Sequence, residues 1–167
     1  MILIAIGANL PGPEGMAPIE TCYAAIPFLT DISGLSFVAL SPWYRSASIP
    51  RSDFPDFCNG VIRLNGEIDP VELLIKLQEI EGRFGRERLF PNAPRTLDLD
   101  IIDLNGQIRA TPTPILPHPL AHQRAFVLRP ILDVAPAWRH PALHRNVSTL
   151  LADLPPQNIQ PWHDELS

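Results

Sequence analysis

Asp98 and Asp100 stand two residues apart in Arg95-Thr96-Leu97-Asp98-Leu99-Asp100-Ile101-Ile102, a segment whose other residues suit a β-strand. Side chains alternate across a strand, so both carboxylates project to one side and Leu97, Leu99 and Ile101 to the other. Two like charges held side by side repel unless a cation lies over them. A divalent ion meets that need, and magnesium takes one or two carboxylates plus substrate phosphates rather than an all-protein cage. An Asp-x-Asp pair alone equally suits the polar face of a half-solvated strand. The arginines shift the balance: Arg83, Arg86, Arg88 and Arg95 fall within the thirteen residues 83–95 of an otherwise acidic chain. Guanidinium binds phosphate oxygens bidentately, so cations beside metal-binding carboxylates make sense where a polyphosphate bridges them. Arginine by arginine, a charged solvated loop reads the same; together with the carboxylates, the expected ligand is a nucleoside triphosphate.

The elements that must position these groups follow from pattern. Residues 2–6 form a short apolar run closed by Gly7-Ala8-Asn9-Leu10, and residues 13–26 carry Met16, Ile19, Tyr23 and Ile26 at helical spacing. A strand region is expected over 32–45, with Pro42 near its end. Another is expected over 56–65, with Phe57, Asn59, Val61 and Arg63 on one face and Cys58, Ile62 and Leu64 on the other. The clearest helix begins at Asp69-Pro70, where Asp69 can cap and Pro70 takes the first turn. Its stripe is Leu73, Leu74, Leu77, Ile80 and Phe84, and Gly85 ends it. Gln78 and Glu81 lie beside that stripe, three apart, and can reach a common point. After the Asp-x-Asp strand, Asn105-Gly106 predicts a hairpin turn into 107–110. A further segment covers 118–132, a short helix is expected near 147–154, and the tail 155–167 is expected to be mobile. The order β-α-β-β-α-β predicts an α+β, ferredoxin-like antiparallel sheet with helices on one face, plus the hairpin and a C-terminal helical extension.

Composition narrows the function classes. A chain of 167 residues is expected to form one domain over 1–167 and to bury about 70% of its unfolded surface. Its net charge of −5 argues against a nucleic-acid backbone as partner. Cys22 and Cys58 are the only cysteines, which fits a reducing, cytoplasmic setting rather than a disulfide framework. Residues 1–6 lack a basic n-region and are too short for a signal peptide or membrane span, so no membrane partner is expected.

Several ordered pieces then point the same way: Ala5-Ile6-Gly7-Ala8-Asn9-Leu10, Tyr44-Arg45-Ser46, Phe57-Cys58-Asn59, Gln78 with Ile80-Glu81, Gly85-Arg86-Glu87-Arg88, Pro94 through Asp100, Pro117-His118, and Arg124-Ala125-Phe126-Val127-Leu128. Over residues 4 to about 141 the chain resembles the 6-hydroxymethyl-7,8-dihydropterin pyrophosphokinase family of folate biosynthesis. The resemblance implies transfer of the β,γ-pyrophosphoryl group of ATP to the pterin hydroxymethyl group, with release of AMP, by a two-magnesium in-line mechanism. It places Asp98 and Asp100 on the two metal ions and gives Arg86 and Arg95 a catalytic role on the phosphates. Gln78, Glu81, Arg88, Ile101, His118 and Arg124 would contact ATP. Phe57 and Phe126 would cover the pterin faces while Asn59 and Ser46 read its edge, in a monomer acting on small molecules only. The loop Phe90-Pro91-Asn92-Ala93-Pro94-Arg95 departs from the family's Arg-Trp-Gly-Pro-Arg and lacks its tryptophan. Two other readings are a magnesium-dependent nucleotidyltransferase, which would release pyrophosphate, and a pterin- or nucleotide-binding module without turnover. An RNA-binding module of the same fold lacks the basic, aromatic strand it would need.

Overall fold

β1 (Ile2–Ala8) is apolar on both faces because both faces are covered. The computed structural model describes residues 1–47, 56–85 and 96–162. Around β1 they form α1 (Pro18–Thr30), β2 (Leu35–Leu40), β3 (Tyr44–Ser46), β4 (Phe57–Gly66), α2 (Pro70–Arg83), β5 (Asp98–Leu104), α3 (Ala125–Val134), α4 (Val147–Ala152) and β6 (Ile159–Pro161). The sheet order is β5-β1-β4-β3-β6, with β2 also on β4 and all pairings antiparallel. β2 and β3 follow one another along the same edge of β4, so the path β1-α1-β2/β3-β4-α2-β5 is the expected α+β, ferredoxin-like unit. The strand expected over 32–45 is broken around Pro42, which has no N–H to give to a ladder. Ser41 spans the break, with its N–H on Val61 O and its Oγ accepting the Val61 N–H at 2.9 Å.

The two helices of that unit pack on one face, where Cys22 and Leu29 of α1 and Leu73 and Leu77 of α2 meet Ile4, Ile62 and Leu99 of the sheet. α2 begins where expected: Asp69 Oδ2 accepts the N–H groups of Val71 and Glu72 at 3.0 and 3.2 Å, and Pro70 takes the first helical position. Gly85, at φ +78°, follows its end. α1 starts later than its periodicity suggests. Pro18 takes its first position, and residues Pro13–Gly15 form a separate 3-10 turn. The C-terminal extension covers the other face: Val127, Leu128 and Ile131 of α3 and Leu150 of α4 bury Leu3, Val61 and Ile102.

Two expectations are corrected. Asn105 and Gly106 do form the predicted turn, both at positive φ and closed by Gln107 N–H on Leu104 O at 3.0 Å. The returning residues 107–110 do not join the sheet as a strand, and Arg109 pairs with Leu116 instead. Groups that would extend the ladder on β5 are engaged elsewhere. The Leu99 N–H goes to Glu81 Oε2, and Ile102 O accepts the His118 N–H. The tail is also more ordered than expected. β6 pairs with β3, the Trp162 N–H donates to Trp43 O at 2.9 Å, and the Arg45 guanidinium lies 4.0 Å over the Trp162 ring. Residues 163–167 lie outside the described residues.

Gly60, at the middle of β4, lets the Trp43 ring lie against the sheet. A Cβ there would come within 2.6 Å of two ring carbons. Gly60→Ala is expected to destabilise the fold by about 1–3 kcal/mol through overpacking, measured as a lower urea midpoint at constant slope. An unchanged midpoint would mean that the ring can move aside.

Candidate functional site

The register of the sheet assembles the site. Asp98 lies opposite Gly7 on β1 and Asp100 opposite Ala5; on the far side Gly7 faces Asn59 of β4 and Ala5 faces Val61. Asn59 in turn faces Tyr44 of β3, and Phe57 faces Ser46. Directly paired residues of an antiparallel sheet share a face. Asp98, Gly7, Asn59 and Tyr44 therefore form one row across four strands, and Asp100, Ala5 and Val61 form the next. Val61 belongs to the core under α3, so the two carboxylates stand on the α3 side of the sheet. Their Cα atoms are roughly 7 Å apart along the strand.

A side chain at Gly7 would crowd its neighbours. A Cβ at this position would lie 3.1 Å from Asn59 Oδ1 and 4.0 Å from the Phe57 ring. With no side chain there, the Asn59 amide oxygen and the Phe57 ring edge lie beside Gly7. The buried Asn59 donates from Nδ2 to Ser46 Oγ at 2.6 Å, which fixes its amide. Phe126, in the first turn of α3, closes the other side and lines a cavity of about 190 Å³ with Ser46, Ala47, Gln157, Asn158 and Ile159.

His118 and Arg124 lie on the connection between β5 and α3. His118 is tied to β5 by its N–H on Ile102 O at 3.0 Å. Its Nδ1 accepts the Leu120 N–H at 3.1 Å, so the neutral ring carries its proton on Nε2. Burial drives the imidazole down to about 4; the Arg124 guanidinium adds to this and the Asp98 carboxylate opposes it. Arg124 and Asp98 thus each lie within electrostatic reach of His118. Arg124 lies 5.5 Å over the Phe126 ring.

The structure thus brings together Ser46, Phe57, Asn59, Asp98, Asp100, His118, Arg124 and Phe126. The remaining expectations fare differently. Ile101 is buried in the α1/α2 core, so only its backbone is available to a nucleotide. Glu81, 4% exposed, accepts the Leu99 N–H at 2.9 Å and thereby holds β5 between its two aspartates. Gln78 is exposed on α2, which packs on the sheet's other face. Arg86, Arg88 and Arg95 lie outside the described residues, as does the loop carrying Phe90 and Asn92. Two residues that the sequence reasoning did not place are Gly7, whose signal is a glycine inside an apolar strand, and Gln157, which has none. Among the described residues no group of three or more His, Cys, Asp or Glu side chains could hold a metal. A cation at Asp98 and Asp100 would draw further ligands from substrate.

Residues 3–136 match the model of the 7,8-dihydro-6-hydroxymethylpterin-pyrophosphokinase (HPPK) family. The chain belongs to this family. Its 2-amino-4-hydroxy-6-hydroxymethyldihydropteridine pyrophosphokinase relative in Pseudomonas aeruginosa is 38% identical over 159 residues, 95% of this chain and 94% of that one. The Haemophilus influenzae relative of the same name is 36% identical over 132 residues, 79% of each chain. Among solved structures, a triple mutant of Plasmodium falciparum HPPK-DHPS superposes with a TM-score of 0.65 at 13% identity. That match covers 90% of this chain and 43% of the larger one, and it speaks to the fold alone.

The half-buried His118 of this HPPK-family chain sets a pH dependence. Unfolded, His118 titrates near 6.5, and folded it stays neutral down to about 4. Between those values the unfolded chain binds more protons, so stability is lost as pH falls from about 6.5 towards 4. His118→Gln is expected to flatten that part of the profile, read from urea midpoints without nucleotide. An equal slope in both proteins would contradict the assignment.

Proposed function

We propose that this chain transfers pyrophosphate from ATP to the hydroxymethyl group of 6-hydroxymethyl-7,8-dihydropterin and releases AMP, as a step of folate biosynthesis. Family membership across residues 3–136 supports the reaction. The observation that carries it onto these residues is the shared face: Asp98 stands in the row of Gly7 and Asn59, Asp100 in the next row on the same face, and Asn59 is bonded to Ser46. A phosphate-handling end and a ring-reading end then lie on one surface.

The cavity of about 190 Å³ is smaller than the roughly 300 Å³ at which ligand pockets usually begin, and it suits a single small bicyclic ring. Phe126 and Ser46 line the cavity, and Phe57, opposite Ser46 on the neighbouring strand, and Asn59, bonded to Ser46, adjoin it, so that two aromatic faces and one amide are assigned to such a ring. Asp98 and Asp100 fit magnesium by their chemistry, being two carboxylates on one face that leave the other positions to phosphate oxygens and water. Two magnesium ions held there would neutralise the triphosphate and polarise the β-phosphorus. His118 donates from Nε2 as a neutral group, so it can bind a phosphate oxygen without adding charge. Arg124, together with Arg86, Arg88 and Arg95, takes up phosphate charge, and Gln78, Glu81 and the Ile101 backbone are assigned to the nucleotide. In the transfer, the pterin hydroxymethyl oxygen bonds to the β-phosphorus and loses its proton to solvent water. The bond from that phosphorus to the oxygen shared with the α-phosphate breaks, and the electron pair leaves on AMP. Positioning and charge neutralisation supply most of the rate in such reactions.

We further assign the chain to one domain over 1–167 that acts as a monomer in the cytoplasm. No described helix is long and apolar enough to cross a membrane. AMP formation is expected only when ATP, magnesium and the pterin are all present. Asp98→Asn is expected to lower kcat by at least about a hundredfold while the pterin Kd measured by calorimetry changes less than about twofold. Pyrophosphate in place of AMP would favour a nucleotidyltransferase. Binding of both ligands without either product would favour a binding module.

A further inference from the structure

Phe126 and Ser46 both line the cavity, yet they come from different elements, α3 and β3. The residue before α3, Arg124, places no side-chain oxygen on the first amides of the helix. One of those amides, Ala125 N–H, instead donates to Gln157 Oε1 at 2.8 Å, from 32 residues further along the chain. The other end of the same side chain, Nε2, donates to Gln123 O at 2.9 Å. Both halves of one amide are thus spent across a single residue, Arg124, immediately before Phe126. Gln157 is itself fixed: its carbonyl accepts the Ile159 N–H at 3.0 Å, and Ile159 pairs with Ser46 as β6 joins β3. The path Ser46–Ile159–Gln157–Ala125 closes a ring of contacts that sets the distance between the two residues. Gln157, Asn158 and Ile159 also line the cavity between them.

We propose that Gln157 is a positioning residue for the pterin pocket, holding Phe126 at a fixed distance from Ser46. This rests on the assignment of that cavity to the pterin. A ring that must stack on Phe126 tolerates little displacement, because the contact energy falls steeply with a gap of 0.5–1 Å. Arg124 carries its charge on a long stem that can follow a small backbone shift. The clamp therefore matters more to the pterin than to the nucleotide.

The test uses Gln157→Leu, which keeps most of the volume and removes both hydrogen bonds, and Gln157→Glu, which keeps the acceptor for Ala125. Pterin Kd by calorimetry, KM for each substrate, kcat and Tm are measured on the full chain. Gln157→Leu is expected to raise the pterin Kd and KM about five- to tenfold. The ATP KM and kcat should change less than about twofold and Tm by less than about 2 °C, beneath the shift that 1 kcal/mol would produce. Gln157→Glu is expected to recover part of the pterin affinity. Unchanged pterin binding in Gln157→Leu overturns the proposal. So does a fall in Tm with both substrates weakened alike, which is what a purely structural clamp gives. If Gln157→Leu does not fold, Gln157→Glu decides by the same split between substrates, with an intermediate rise in pterin KM expected and none overturning the proposal. A wild-type chain that binds no pterin overturns the cavity assignment itself, and this proposal with it.

Discussion

The site depends on one register: Gly7 between Asp98 on one side and Asn59 on the other. A slip of one residue in either pairing would turn a whole strand over and send its chemistry to the α1/α2 core. Two features hold the β1–β5 pairing. Leu97, Leu99 and Ile101 are buried against α2, which fixes the face. The register also shifts between Leu3 and Ile4, where Ile102 is left out of the ladder. Such a bulge pins pairing and redirects side chains. Here Ile102 and Asp103 both serve the α3 side: Ile102 packs under the helix, and Asp103 Oδ2 accepts the Trp138 indole N–H at 2.7 Å. The neighbours of the carboxylates on β1 are small, Gly7 between Asp98 and Asn59 and Ala5 between Asp100 and Val61.

β5 lies at the end of the sheet order, and edge strands invite unwanted pairing. This one carries the acidic pair, so its backbone must also hold still. Glu81 from α2 and the main chain at His118 solve both problems, one taking the Leu99 N–H and the other the Ile102 carbonyl. The His118 contact then places the imidazole and, a few residues on, Arg124 and Phe126. Strand, histidine loop and α3 behave as one positioned unit. That unit explains why a buried carboxylate on the far side of the sheet bears on the geometry of Asp98 and Asp100.

Local rules carried the reading of sequence as far as they reach. The Asp69-Pro70 helix start, the Asn105-Gly106 turn and the common face of Phe57 and Asn59 each depend on a few adjacent residues, and each is found. The ferredoxin-like order followed from the succession of periodicities. What escaped depended on distant partners. Residues 107–110 have strand-like neighbours but meet a β5 whose groups are already engaged. β6 is only three residues long, Ile159–Pro161, and contains proline; nothing in its own sequence says that β3 will take it as a partner. The side chains of Ile101 and Glu81 were readable as site residues from resemblance alone. The burial of Ile101 in the α1/α2 core and of Glu81 of α2 against β5 comes from packing, which spacing along the chain does not reveal. Gln157 is the extreme case, since a lone glutamine in a proline-rich tail has no pattern to read.

The Asn59–Ser46 hydrogen bond bears on selectivity more than on strength. Both residues are buried, and the bond uses one Asn59 donor and leaves Oδ1 on the side of Gly7 and Phe57. A flexible amide would pair with whatever entered the pocket. One held by a neighbouring hydroxyl presents its acceptor in a single orientation, and a ring without a matching donor leaves that acceptor desolvated and unpaired. Such a mismatch is penalised far more heavily than the loss of a methylene group in an apolar pocket. Two phenylalanines alone would accept any flat ring of suitable size. On the proposed pterin assignment, selection among flat bicyclic rings falls to Asn59, and its fixed orientation to Ser46, the residue through which β3 also receives β6.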